Sequence, residues 1–270
     1  AFWKILNGET GYTEMENDDD IYPYIWYGAL LIHRSVCDGY SDAYEMLMNM
    51  AGIPTVEIHA KNMSHAFNIT FIDGVPYFVD VTWDDNTCFQ VGHRNFLRSA
   101  DGIISTRHSL TESEKSIYGI QINDTTYDNY FWQDSYSPFV YADKKLYYFN
   151  ERQGTLNKVD NDHPVVYEIP ANSADAYLCE VEGRVLFSCG DKVYRLNTKT
   201  DRMYPDAVTS LSDIGVSSIQ GTSGDCVWTM KGIELTISGK GEMGIHCFLQ
   251  MPLRKLITSA VIENGVTSIG

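Results

Sequence analysis

The sequence predicts an α+β fold: a helix and a short antiparallel sheet, followed by an all-β C-terminal part. Three observations predict it. Apolar residues recur at helical spacing over 38–51. An Asp73-Gly74 dipeptide separates two apolar stretches and marks a tight hairpin. From about residue 135 onward the chain is a succession of short alternating strand patterns.

Taken in order, residues 1–20 hold a short apolar start, Ala1-Phe2-Trp3-Lys4-Ile5-Leu6, and then a polar stretch ending in Asp18-Asp19-Asp20. That triplet lacks the spaced ligands and glycine of a calcium loop, so it reads as a solvated acidic turn. In the helix, Tyr40, Ala43, Tyr44, Leu47, Met50 and Ala51 share one face. Gly52 suits a left-handed C-cap, and Pro54 blocks continuation. Asp38 and Asp42 complement the positive end of the helix dipole. Strands are expected at 55–60, 65–72 and 75–83. A hairpin centred on Asp73-Gly74 sets Phe67 opposite Asp80 and His65 opposite Thr82, making His65 and Asp80 diagonal neighbours on one face. Further on, 145–149 with 156–160 echo 184–188 with 193–197, at offsets of 39 and 37 residues. Two blade-like copies cannot close a propeller, so they read as a small all-β module. The expected domains are 1–130, 131–208 and 209–270.

Composition excludes several functions. The 270 residues are 44% hydrophobic and 13% aromatic, ample for buried cores. A net charge of −16 repels phosphate backbones and argues against a nucleic-acid partner. No apolar run approaches the roughly 18 residues of a membrane span, so no membrane insertion is expected within this segment. The six cysteines (37, 88, 179, 189, 226 and 247) show no CxxC spacing and define neither a zinc site nor a dense disulfide framework. His33, His59, His93, His163 and His246 show no metal-ligand spacing either. No metal or cofactor is expected. The chain opens on Ala1 without a signal peptide and stops within a strand pattern, so it reads as a segment of a longer protein.

The chemistry centres on Cys37, just ahead of the helix. Unpaired backbone amides and the helix dipole favour an anion there, hence the thiolate, and the Cys37 amide becomes part of an oxyanion site. His65 can take the thiol proton and return it to a leaving group, with Asp80 orienting the imidazole.

These residues lie in motifs that resemble a known family. Ser35-Val36-Cys37-Asp38-Gly39-Tyr40-Ser41, His65-Ala66-Phe67-Asn68 and Asp80-Val81-Thr82-Trp83-Asp84 are similar to the Cys, His and Asp motifs of bacterial transglutaminase-like proteins. They follow in that order at intervals of 28 and 15 residues. Tyr27-Gly28-Ala29-Leu30, Asn95-Phe96-Leu97 and His108 extend the likeness across about 24–115. The resemblance implies a papain-like helix on an antiparallel sheet, with Cys37 as nucleophile, His65 as base and Asp80 as orienter. It implies acyl transfer from a peptide or protein amide through a thioester, to water or an amine, without a cofactor. The chain departs from the family at Ser35, where Gly is usual, at Phe67, where Trp is usual, and in the helix expected before Tyr22. With that helix missing or irregular, Tyr24, Trp26 and Tyr27 are candidates for the second oxyanion donor, beside Cys37. Trp83 and Phe67 are substrate-cleft candidates. A second reading makes the domain a catalytically weak or inactive scaffold for surface binding or adhesion.

Near the C-terminus, 221–230, 235–241 and 261–270 resemble the opening of the leucine-rich repeat arrays of bacterial surface antigens. That likeness implies a secreted or cell-surface bacterial protein with a cell-wall or host-surface partner.

Overall fold

A computed structural model describes residues 21–32, 34–87, 90–160, 165–168, 176–243 and 251–269. The chain is mixed α+β, with mostly antiparallel sheets. It divides into two compact units, residues 1–86 with 92–133 and residues 87–91 with 134–270. The expected 208/209 boundary falls inside the second. The acidic triplet and the apolar start at 1–6 lie outside the described residues.

In the first unit, helix α1 (Cys37–Met50) packs on strands β1 (Thr55–Ala60) and β2 (His65–Ile72). Strand β3 (Val75–Val79) completes an antiparallel sheet in the order β1-β2-β3. Two short helices follow, α2 (Val81–Asp84) and α3 (Ala100–Ser105). The hairpin turns at Asp73-Gly74, both with positive φ, and pairs Asn68 with Val79 in the expected register. The third strand is shorter than expected. It stops at Val79 because the Asp80 carboxylate accepts the Trp83 N–H at 3.1 Å and caps a helical turn over 81–84.

Helix α1 ends as its sequence signals. Gly52 adopts φ +79, its N–H bonds to Asn49 O and that of Ile53 to Met48 O, the two bonds of a Schellman motif. Its expected apolar face is buried only in its first half, where Ala43 and Tyr44 pack. Gly39, Ser41 and Ala43 are buried, whereas Leu47 is 48% and Met50 78% exposed. Small residues let the helix sit close enough for direct polar ties. Asn68 Nδ2 donates to Ser41 O at 3.0 Å, and the Glu57 N–H donates to Glu45 Oε2 at 2.6 Å. Asn49 bonds both the N–H and the C=O of Thr55, at 3.1 and 2.9 Å. On β2, Asn68 and Thr70 face the helix, while Phe67 and Ile69 pack with Ala100 and Ile103 of α3.

The segment before α1 is irregular, with a 3-10 turn at Tyr22–Tyr24 and a π-turn at Gly28–Ile32. It lies against the first turn of α1 at Gly39. A Cβ there would come 2.6 Å from Pro23 O and 2.8 Å from Ile25 O.

The second unit is built of meanders. Residues 140–142, 145–150, 155–158 and 165–168 form one four-stranded sheet, and 177–181, 184–189, 192–197 and 202–208 another. The two similar sequence segments occupy the middle strands of these sheets. The sheets share a core of Tyr147, Phe149 and Leu156 with Leu178, Val185, Phe187 and Leu196. Asp201 ties them together, bonding Lys145 Nζ at 2.8 Å, Tyr147 OH at 2.7 Å and Lys158 Nζ at 2.9 Å. Burial works against its charge, but these donors hold its carboxyl down at about 2. In a third sheet, Glu234–Gly239 pairs in parallel with Ser259–Ile262, Glu234 opposite Ser259. Gly241–Met243 and Val266–Ile269 also pair in parallel, whereas Ser218–Ser223, Cys226–Lys231 and Glu234–Gly239 form an antiparallel meander. Among the described residues no helix is long and apolar enough to cross a membrane.

The Gly39 contact yields a prediction. Gly39→Ala is expected to destabilise the first unit by about 1–3 kcal/mol, since backbone carbonyls must move. Urea titration checks it, and an unchanged unfolding free energy would contradict this packing.

Candidate functional site

The site forms where the N-terminus of α1, the start of β2 and the end of β3 meet. Val36 is the N-cap of α1 and supplies no side-chain cap, and Cys37 is the first helical residue. The Ser41 hydroxyl donates to Cys37 O at 2.8 Å, which links the first turn to the Asn68 tie on the same residue. Cys37 is thus held through α1 to β2, the strand that carries His65.

His65 Nε2 lies 2.7 Å from Asp80 Oδ2. A carboxylate only accepts, so Nε2 donates, and the Cys37 side chain is near enough to act on the imidazole. Burial pulls the His65 pKa down. The bond to Asp80, the neighbouring Cys37 side chain and the negative charge of Asp80 outweigh it and push it up to about 9. Asp80 moves the opposite way. Burial alone would raise its carboxyl, but bonds from His108 and His65 hold it below the usual carboxylate range. Cys37 Sγ also approaches Asp38 Oδ2, at 3.4 Å, so the thiol has a carboxylate acceptor as well as an imidazole.

The structure brings Cys37, His65 and Asp80 together and divides the remaining candidates. Trp83 is 36% exposed and covers the site, its ring centroid 5.1 Å from that of His65. Phe67, expected in the substrate cleft, has no exposed surface. It packs beneath His65 and against Phe78, so it is a core residue, not a cleft residue. The Tyr24 N–H is bonded to Ile21 O and the Trp26 N–H to Asp42 Oδ2. Those two amides are already engaged, so either residue could meet an oxyanion only through its partly exposed ring. The Tyr27 ring packs between those of Tyr22 and Trp26, with centroids 5.0 and 5.8 Å away.

Sequence reasoning attached no role to His108. Its Nε2 lies 2.8 Å from Asp80 Oδ2, so one carboxylate oxygen serves two imidazoles. No local spacing relates residue 108 to residue 80. The only sequence signal was its place at the end of the family likeness.

Asp84 has a structural role in the same region. It accepts the Asn95 N–H at 3.0 Å and the Asn95 side-chain amide at 2.9 Å, stapling the chain after α2. Burial dominates and pushes its carboxyl up to about 7, despite these donors. Asp85 accepts the Tyr40 hydroxyl, and burial with that bond pushes the phenol up to about 12.

Two groups among the described residues bring three metal-ligand-type atoms within 4.8 Å of one another. In His65, Asp80 and His108, those atoms are spent on each other. In Asp38, Glu57 and His59, His59 Nε2 pairs with Glu57 Oε1 at 2.7 Å, and Nδ1 lies 3.7 Å from Asp38 Oδ1. Comparison with known proteins returns no matching family model and no matching curated protein.

Asp84 supplies a pH prediction. Its folded pKa lies above its unfolded value, so the folded state holds the extra proton. Stability then falls as pH rises from about 4 through 7. Asp84→Asn removes this titration. The difference in melting temperature, variant minus wild type, is expected to grow across that window and level off above it. A difference that is flat with pH would refute the assignment.

Proposed function

We propose that the protein is a transglutaminase-like cysteine hydrolase or acyltransferase with a papain-like first unit, acting on peptide or protein amides. One observation carries this reading. A cysteine at a helix N-terminus lies beside an imidazole whose Nε2 is held by a buried carboxylate. The arrangement of nucleophile, base and orienter supports covalent catalysis.

In the proposed cycle the Cys37 thiol passes its proton to His65, the sulfur attacks the amide carbonyl, and the carbonyl π electrons move to oxygen. The resulting oxyanion meets the Cys37 N–H at the uncapped start of α1. The carbon–nitrogen bond then breaks, and the departing amine takes its proton from His65. A thioester remains on Cys37. Water or a primary amine attacks it while His65 accepts the incoming proton, and loss of the thiolate restores the site. Asp80 keeps Nε2 of His65 occupied throughout, so Nδ1 does the proton work. Trp83 forms the apolar wall over the imidazole.

The parallel pairing of Glu234–Gly239 with Ser259–Ile262 and of Gly241–Met243 with Val266–Ile269, beside an antiparallel meander, supports reading 209–270 as the opening unit of a leucine-rich repeat array. With that reading goes the proposal of a secreted or cell-surface bacterial protein that meets a cell-wall or host-surface partner.

The test uses glutamine-containing peptides with and without a fluorescent primary amine. Wild type is expected to release ammonia or cleave the peptide, and to incorporate amine if it is a crosslinker. Cys37→Ala should abolish every activity, and His65→Ala should lower it by about 10²–10⁴. Turnover that survives Cys37→Ala would end the proposal. A small alkylating agent at pH 6 should label Cys37 ahead of Cys179 and Cys226, which are buried. Burial also pushes the Cys179 thiol up.

A further inference from the structure

Asp80 Oδ2 has two partners, and only one of them touches the thiol. His65 Nε2 lies at 2.7 Å and His108 Nε2 at 2.8 Å, and both must donate because the carboxylate can only accept. His108 has no exposed side-chain surface. Its Nδ1 rests on Thr106 Oγ1 at 3.0 Å, and Thr106 is bonded in turn to Ile103 O of α3 at 2.6 Å. Trp83 lies over this imidazole too, with centroids 4.2 Å apart, and Phe67 meets it edge-on at 5.0 Å. Packing and hydrogen bonding therefore leave the His108 ring one orientation. A continuous chain of contacts runs from the backbone of α3 through Thr106, His108, Asp80 and His65 to Cys37.

We propose that His108 is a positioning residue of the Cys37 site: it occupies one lone pair of Asp80 Oδ2 and so aims the other at His65 Nε2. The inference rests on the thiol chemistry proposed above. Its physical basis is the freedom of a buried carboxylate. With the Trp83 N–H alone on Oδ1 and one imidazole on Oδ2, the carboxylate could turn about its Cβ–Cγ bond and carry His65 with it. A second, rigid donor removes that freedom. Among the described residues, the other ionisable groups that act on His65, Asp80 and His108 are Cys37 on α1, which Asp38 contacts, and Asp84 on α2.

The test needs no substrate. Iodoacetamide alkylation of Cys37 in the full chain is followed by mass spectrometry from pH 5 to 10, for wild type, His108→Leu, His108→Gln and Thr106→Val. The melting temperature of each is recorded. Wild type should react at pH 6 faster than an ordinary thiol, which ionises at about 8.5. His108→Leu should lose about tenfold to a hundredfold of that rate, with its profile relaxing toward the ordinary thiol. Thr106→Val, close in shape, should lose less but move the same way. His108→Gln, whose amide N–H still reaches Asp80, should recover most of the rate. Wild-type profiles in both His108→Leu and Thr106→Val would overturn the role, as would equal rate losses in Leu and Gln that follow their melting temperatures. A wild type that itself behaves as an ordinary thiol would sink the proposed chemistry and this role with it. Unchanged variants beside an activated wild type would sink the role alone.

Discussion

The first unit is organised around one charge that water cannot reach. Asp80 has no exposed surface, and a carboxylate in that position must be met by donors or lose its charge. Its three donors come from separate parts of the chain: the Trp83 N–H, His65 at the start of β2, and His108 beyond α3. Meeting them ends β3, starts α2 and draws the 106–108 segment inward. The orientation of His65 follows from the same requirement. Structure and proposed chemistry thus share a cause.

The second constraint is closeness. Helix α1 meets the 22–25 segment at Gly39 with no side chain between them, while Tyr44 packs against the sheet. Polar ties at Asn49, Glu45 and Ser41 then fix the helix lengthwise. A nucleophile on the first residue of such a helix inherits that precision, because a slip along the axis would break several bonds together. Asp42 extends the lock upstream by accepting the Trp26 N–H.

Local chemistry explains what the sequence made legible. Gly52 ends α1 through its φ, and Asp73-Gly74 sets a hairpin register that carries His65 to Asp80. Both depend on neighbouring residues alone. The exposed Leu47 and Met50 show the limit: periodicity marks an apolar stripe but does not say how far along it the sheet reaches. Phe67 shares the face of His65, yet alternation says nothing of depth, and the residue is core. Val81-Thr82-Trp83 favours strand by composition, but a single side-chain bond from Asp80 turns it into helix. His108 reaches Asp80 from 28 residues away through tertiary packing, which no motif spacing encodes.

The second unit has a different logic, because none of its sheets keeps a core to itself. Cys179, Leu186 and Val193 of one sheet pack with Leu211, Trp228 and Leu253 from the chain beyond. A fragment cut at 208 would therefore strip cover from side chains that are now dry and present them as a sticky face. Such a fragment would tend to aggregate or to recruit a substitute neighbour. The meanders behave as links whose integrity is borrowed from the next link, so proteolysis between them should spread damage beyond the nick.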